Sequence, residues 1–305
     1  MSYTTARTNA ARFRALTGVS VETFDSYLPY FTETHDEYFR WHMLDGTKRS
    51  GTRPYTIQKN SPLPSVAERL YFVLLYLKQN AIQELIAELF DMSQSQCNQW
   101  FHCLYGILVD SLKESGSMPE STNEGLQEIL AGLEASGQRP VLIHDGTERE
   151  IPRPVDHEQQ KDKYSGKKKR HTVKNAVVTT VAGLILFVGG TVSGHVHDKR
   201  IADEQYSFPK EYTVYQDTGY LGYRPGDNTV MPFRKPKGGG LTEAQKAYNR
   251  KVSSVRVRVE LHIGSAKILK VIREECRLRK NRIVDGLFHT GAAIHNLRRG
   301  FKLRY

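Results

Sequence analysis

Val141-Leu142-Ile143-His144-Asp145-Gly146-Thr147-Glu148 decides the reading of this chain. Three consecutive aliphatic residues behave as a short buried strand, and the run ends on a carboxylate. The same grammar returns at Tyr212-Thr213-Val214-Tyr215-Gln216-Asp217. A third acid, Glu260, closes Arg256-Val257-Arg258-Val259-Glu260, inside a helical pattern that continues to Lys267. Two strand-end carboxylates and one on a helix are expected to converge. Such a cluster suits a hard cation such as Mg²⁺, which takes oxygen ligands.

Strand signals dominate from Pro140 onward. Residues 171–182 and 184–193 are rich in Val, Ile and Thr and read as a hairpin turning at Ala182-Gly183. A helix is expected to start at Asp198, capped by that residue. Residues 212–217 and 229–232 form two more strands, and 241–272 reads as one long helix or two, with Thr242 as cap. Three strands, a helix, two strands and a helix predict an RNase H-like α/β catalytic domain with a mixed sheet, spanning 140–305.

The first 115 residues read as all-α. Residues 45–64, rich in Gly, Pro, Thr and Lys, form a loop between helical patterns at 21–28 and 66–77. Ile82 to Phe90 is a short amphipathic helix, Asp91-Met92-Ser93 a turn, and Gln94 to Leu112 a second helix that Ser93 can cap. This resembles a helix-turn-helix. In that motif Gln94, Gln96, Asn98 and Gln99 face base edges, since amides can make paired hydrogen bonds to adenine. The absence of Lys and Arg from Asn80 to Leu112 argues the other way, for a plain helical hairpin. Residues 116–139 read as a connector with one helix. The fold class is therefore α+β.

The net charge of +11 is concentrated: Asn249 to Tyr305 holds 15 Lys/Arg and 4 Asp/Glu, leaving the first 248 residues formally neutral. A polyanion such as nucleic acid is the expected partner of the C-terminal quarter. Cys97, Cys103 and Cys276 form no disulfide framework or metal-ligand spacing. With neither a secretory h-region nor a membrane-length apolar run, the protein is expected in the cytoplasm.

Further strings follow the first in order: Tyr164-Ser165-Gly166-Lys167-Lys168-Lys169-Arg170-His171, Gly194-His195-Val196-His197-Asp198-Lys199 and Asp217-Thr218-Gly219-Tyr220-Leu221-Gly222. With the Arg256–Glu260 string and Lys267, they resemble the DDE transposases of bacterial insertion sequences. The group in question is the one related to insertion sequence five and to eukaryotic Harbinger elements. The resemblance covers about residues 140 to 300. It implies that Asp145, Asp217 and Glu260 are the catalytic triad and ligate two Mg²⁺ or Mn²⁺ ions. It also implies double-stranded DNA as partner, as element ends and as target, with a homodimer or higher oligomer on bacterial nucleoid DNA. Relatives often carry a Tyr three residues before the Arg; here Ser253 stands there, so no phenol acts at that position.

Helical geometry places Arg256, Glu260 and Lys267 within about 40° of one another, at about 100° per residue. Both cations would then neutralise phosphate oxygens beside the acid. An ordinary ion pair between Arg256 and Glu260 is the alternative. Asp198 competes with Asp217 as the second metal ligand, and Glu148 is a weaker candidate. Lys167, Lys168, Lys169 and Arg170 are expected to touch phosphates without reading sequence. Arg273, Arg277, Arg279, Lys280, Arg282 and the tail at Arg298, Arg299, Lys302 and Arg304 would add salt-sensitive affinity. Two other functions stay open: a non-catalytic DNA-binding protein that keeps the fold, and a nuclease that cuts without joining.

Overall fold

The structure is a computed structural model describing residues 2–50, 55–224, 226, 228–278 and 281–303. Arg279, Lys280 and Arg304, three of the expected phosphate contacts, lie outside the described residues, as does the side chain of Arg282. The chain divides into two compact units. One holds Met1–Met118, Ile268–Arg277 and Leu297–Tyr305; the other holds Pro119–Lys267 and Leu278–Asn296.

The helical unit contains α1 (Tyr3–Arg7), α2 (Ala10–Thr17), α3 (Val21–Trp41), α4 (Val66–Gln79), α5 (Gln83–Leu89) and α6 (Gln94–Glu114). From Glu68 to Leu77 every residue of α4 is buried, as a helix apolar on nearly all sides should be. Around it Tyr3, Phe13, Phe24 and Tyr71 stack in aromatic pairs. Arg69, 1% exposed, lies 4.5 Å from the Trp100 ring centre and donates to His35 Nε2 at 2.6 Å. His35 Nδ1 in turn donates to Asp36 at 2.8 Å, so the buried cation reaches a counter-charge through an imidazole.

The sheet unit begins with α7 (Asn123–Ala135). It continues through β1 (Leu142–Glu150), α8 (His157–Lys163), β2 (Tyr164–Ser165), β3 (Arg170–Thr180), β4 (Ile185–Val188), β5 (Val192–Ser193), α9 (Asp198–Gln205), β6 (Val214–Tyr215), β7 (Thr229–Val230) and α10 (Glu243–Ala266). The short α11 (Lys270–Arg273) packs on α4 in the helical unit, and α12 (Asn281–Arg298) follows. The sheet order is β2-β3-β1-β6-β7, with β4 and β5 also on β3. The β1–β3 pair is antiparallel and the β1–β6 and β6–β7 pairs parallel, so the sheet is mixed as expected.

Three boundaries differ from the sequence reading. β1 does not stop at Asp145: it pairs with β3 from Leu142↔Thr180 to Glu150↔Thr172, which puts Asp145 inside the strand. The polar residues that suggest a loop there alternate in burial, with Thr147 and Arg149 turned inward. The expected 184–193 strand breaks at Gly189-Gly190 into β4 and β5. At Gly189 a Cβ would meet Gln205 Oε1 at 2.1 Å. Residues 119–139 are no free connector. Glu120 N donates to Leu186 O and Val188 N donates to Glu120 O, both at 2.9 Å, which ties the segment to β4.

The C-terminal residues are likewise shared rather than wholly part of the sheet domain. Lys78 Nζ donates to Ile268 O at 2.8 Å, Asn80 Nδ2 to Glu275 O at 3.1 Å, and Leu303 N to Gly116 O at 2.7 Å. All three bonds lie within the helical unit.

Candidate active site

The ladder between β1 and β6 builds the centre of the site. Its register pairs Leu142 with Val214 and Ile143 with Tyr215. Carried two residues further, that offset sets His144 beside Gln216 and Asp145 beside Asp217. The side chains confirm the first match, because His144 Nε2 lies 3.1 Å from Gln216 Oε1. Gln216 Nε2 donates to Tyr223 O at 3.1 Å, leaving Oε1 as the acceptor and His144 Nε2 as the donor. His144 Nδ1 then accepts from the Tyr206 hydroxyl at 2.7 Å. Burial, aided slightly by the Arg256 charge, lowers the imidazole to about 3, so His144 is neutral. It is a buried tie between β1 and the segment that follows β6.

Asp145 is largely buried beside this tie. Burial raises its carboxyl to about 6; the Gly146 N–H and Arg256 pull it down, while Asp198 and Asp217 push it up. Asp145 Oδ1 accepts from Gly146 N at 2.8 Å. Asp217 is more open and accepts from Thr218 N at 2.6 Å, capping a short 3₁₀ turn over Thr218–Tyr220. Arg256 Nη1 of α10 reaches Asp217 Oδ1 at 3.4 Å.

Asp198 is closer to this pair than a capping role implies. His197, not Asp198, is the N-cap of α9, and Asp198 is the first helical residue. A Cβ on Gly146 would come within 2.4 Å of Asp198 Oδ1, and one on Gly219 within 3.1 Å of Oδ2. The Asp198 carboxylate thus lies against the backbone next to Asp145 and two residues beyond Asp217. Lys174 Nζ is 3.1 Å from Asp198 Oδ1, but the angles fall short of a hydrogen bond, which leaves that buried oxygen without one. Glu148, the weaker candidate, accepts from Ser165 Oγ at 3.2 Å and lies 3.8 Å from Lys174.

The helical stripe does not act as one. Lys267 caps the end of α10, donates to Glu148 O at 2.9 Å, and is lowered to about 8 by burial and by Arg149 and Lys168. Glu260, about 40° round the helix from Arg256, is exposed. The structure therefore gathers Asp145, Asp198, Asp217 and Arg256, while Glu260 is exposed in the same groove as Arg256.

The donors on offer are carboxylate oxygens, one raised chiefly by burial and another without a hydrogen bond. That chemistry fits a hard divalent cation. Among the described residues, no three His, Cys, Asp or Glu side chains are drawn tightly enough together to hold an ion.

The basic string at 167–170 forms the tight β2–β3 turn. Lys167, Lys168 and Lys169 are exposed, Lys169 takes φ +57°, and Arg170 Nη1 pairs with Glu150 at 2.6 Å. In the helical unit, α5, the turn and α6 match the expected helix-turn-helix. Ser93 Oγ accepts from Gln96 N at 3.2 Å and Gln96 Oε1 from Ser93 N at 3.0 Å, a reciprocal cap. Most amides expected to meet DNA already have partners inside the protein. Gln94 and Asn98 both donate to Gln83 Oε1 of α5, and Gln96 serves the cap; Gln99 is exposed.

Residues 144–296 match the family described as DDE superfamily endonuclease. The chain belongs to that family. Residues 61–114 match the helix-turn-helix of the DDE superfamily endonucleases, which covers α4, α5 and α6. A "Probable transposase for insertion sequence element IS702" of Microchaete diplosiphon is 26% identical over 293 residues, spanning 93% of this chain and 96% of that protein. No solved structure matches the chain. No helix among the described residues is long and apolar enough to cross a membrane.

Proposed function

We propose that this protein is the transposase of an insertion sequence. The observation that carries the reading is the register-matched pair Asp145 and Asp217, with Arg256 on Asp217, inside the segment that matches the endonuclease family. The name of the full-length relative supports it. In this reading Asp145, Asp217 and Glu260 hold two divalent cations, Mg²⁺ or Mn²⁺. Such ions, when bound, neutralise phosphate charge and acidify water.

The chain's own groups do the rest. Arg256 exchanges Asp217 for a non-bridging phosphate oxygen, which orients the scissile bond. Lys267, held on the Glu148 carbonyl, keeps a second cation near the acids. Lys167, Lys168, Lys169 and Arg170 hold the flanking backbone. The helix-turn-helix, with Gln99 and the re-oriented amides of Gln94, Gln96 and Asn98, binds the terminal inverted repeats. Water cleaves one phosphodiester at each end and frees a 3′-hydroxyl. That hydroxyl then attacks a target phosphorus in line, forming a new P–O bond as the target's own 3′-oxygen leaves. Two ends must be paired, so the active form is a dimer or larger, working on nucleoid DNA in the cytoplasm.

Exposure of Glu260 and the close approach of Asp198 favour a second assignment within the same function, with Asp198 as the third acid. A labelled duplex carrying an element end, incubated with Mg²⁺, tests both. Asp145→Ala and Asp217→Ala abolish nicking and keep DNA binding. Whichever of Glu260→Ala and Asp198→Ala nicks normally removes its residue from the triad. Pre-cut 3′-ends separate a transposase from a nuclease, since only the former yields joined product. Wild-type protein that binds ends yet never nicks them is a DNA-binding protein alone.

A further inference from the structure

Between residues 231 and 256 the chain carries seven Lys/Arg and a single Asp/Glu. Its two halves are fastened together by one side chain. Asn249 on α10 accepts from Phe233 N at 2.8 Å and donates to Phe233 O at 2.9 Å, so its amide imitates one rung of a sheet ladder. Phe233 and Tyr248 add an edge-on aromatic contact at 5.1 Å. These contacts moor the loop after β7, with exposed Arg234, Lys235 and Lys237, alongside α10.

The outer face of α10 completes the surface. Lys246, Asn249, Arg250, Ser253, Arg256 and Glu260 line an open groove of about 700 Å³. Among the described residues no carboxylate lies within ion-pairing distance of Arg234, Lys235, Lys237, Arg250 or Lys251. Lys246 has only the exposed Glu243, at 2.7 Å, and such a surface pair contributes little and exchanges readily. At Arg256 the groove meets Asp217. Lys246, Arg250 and Arg256 along one groove, with the loop cations moored beside it through Asn249 and the Asp217 carboxylate at its end, suit a polyanion laid lengthwise.

We propose that the loop at 231–240 and the outer face of α10 form one phosphate-binding surface that delivers duplex DNA to Asp145 and Asp217, and that Asn249 is the positioning residue that assembles it. This rests on the endonuclease reading above. The surface is independent of the helix-turn-helix and of the β2–β3 turn, and it reads charge rather than sequence.

The test titrates the full-length protein against a fluorescent duplex of about 30 base pairs, of arbitrary sequence, across a salt series. Each lost phosphate contact lowers the log–log salt slope by about 0.9, or about 3.5-fold in affinity change between 50 and 200 mM salt. Lys246→Gln with Arg250→Gln is expected to lower the slope by about 2, and Arg234, Lys235 and Lys237→Gln by about 3. Asn249→Ala is expected to lose the loop's share by itself, so that adding the three loop substitutions to it changes nothing more. An unchanged slope in the charge variants overturns the surface. Additive effects of Asn249→Ala and the loop variant overturn the clamp. Nicking at saturating DNA separates this proposal from the catalytic one: the groove variants are expected to raise KM at constant kcat, whereas Asp145→Asn abolishes kcat and keeps the wild-type salt slope.

Discussion

The acid pair on the strands and the charged stripe on α10 began as equals in the sequence, and they end differently. Asp145 lies within β1, and Asp217 follows two residues after β6, held by the parallel ladder before it and by the His144–Gln216 bond. Arg256, Glu260 and Lys267 share one helical stripe, yet a helix fixes only the angle at which a side chain leaves the axis. The long cationic side chains reach the sheet, Arg256 at Asp217 and Lys267 at the Glu148 carbonyl. The shorter Glu260 remains exposed. Strand pairing locates an acid more firmly than helix facing does.

The largest test of this contrast is kinetic. Asp145→Ala or Asp217→Ala is expected to cost at least about 10²-fold in single-turnover nicking, the scale for removing one preorganised charged group from a phosphoryl site. Glu260→Ala in the same assay measures how far the helix-borne acid equals the strand-borne ones; a loss as large as theirs breaks the contrast.

His144 probes the tie itself. His144→Leu keeps the volume roughly but strands Gln216 Oε1 and the Tyr206 hydroxyl in a buried setting. A loss of about 2–4 kcal/mol is expected from the denaturation midpoint. A loss under about 0.5 kcal/mol would mean that the strands hold without it.

Next comes a pH effect on stability. The Asp145 carboxyl is raised to about 6 in the folded protein from an ordinary value of 3.8. Between those values the folded state binds more protons than the unfolded one, so stability falls as pH rises through the window. Asp145→Asn removes that dependence. It is expected to raise the metal-free stability at pH 7.5 by on the order of 1–3 kcal/mol and to change little at pH 4. A uniform gain at both pH values contradicts the assignment.

The smallest effect concerns Asp198. Gly146→Ala forces a methyl to within 2.4 Å of Asp198 Oδ1, so the carboxylate must swing away. About 1 kcal/mol of lost stability is expected from thermal denaturation. Nicking falls in parallel if Asp198 is the third acid and is spared if Glu260 is.

Much of this was legible in the residues. The aliphatic run before Asp145 and the Tyr212–Tyr215 run before Asp217 announced two strands, Ala182-Gly183 announced the hairpin turn, and Ser93 announced the helix start. What escaped was long-range. Residues 146–150 are too polar to read as strand, and only nine rungs with β3 keep them extended. Asp198 looked like a cap because its approach to Gly146 and Gly219 depends on three segments folding onto one another. The Gln83 amide, which occupies Gln94 and Asn98, is eleven and fifteen positions from them and carries no pattern. The Asn249 clamp is equally silent, since a lone Asn in a helical run resembles any solvent-facing position.

The link between His144 and Gln216, 72 positions apart, has a consequence for biosynthesis. β6 must dock between β1 and β7 before the two aspartates can meet, and α10, which brings the arginine, is translated later still. Contacts this distant in sequence form late. A ribosome-bound fragment, or a product cut short before Arg256, would lack the arginine and also Ile268–Arg277, which belongs to the helical unit. Incomplete synthesis therefore leaves both units unfinished, so a partial chain is expected neither to hold an element end firmly nor to break one.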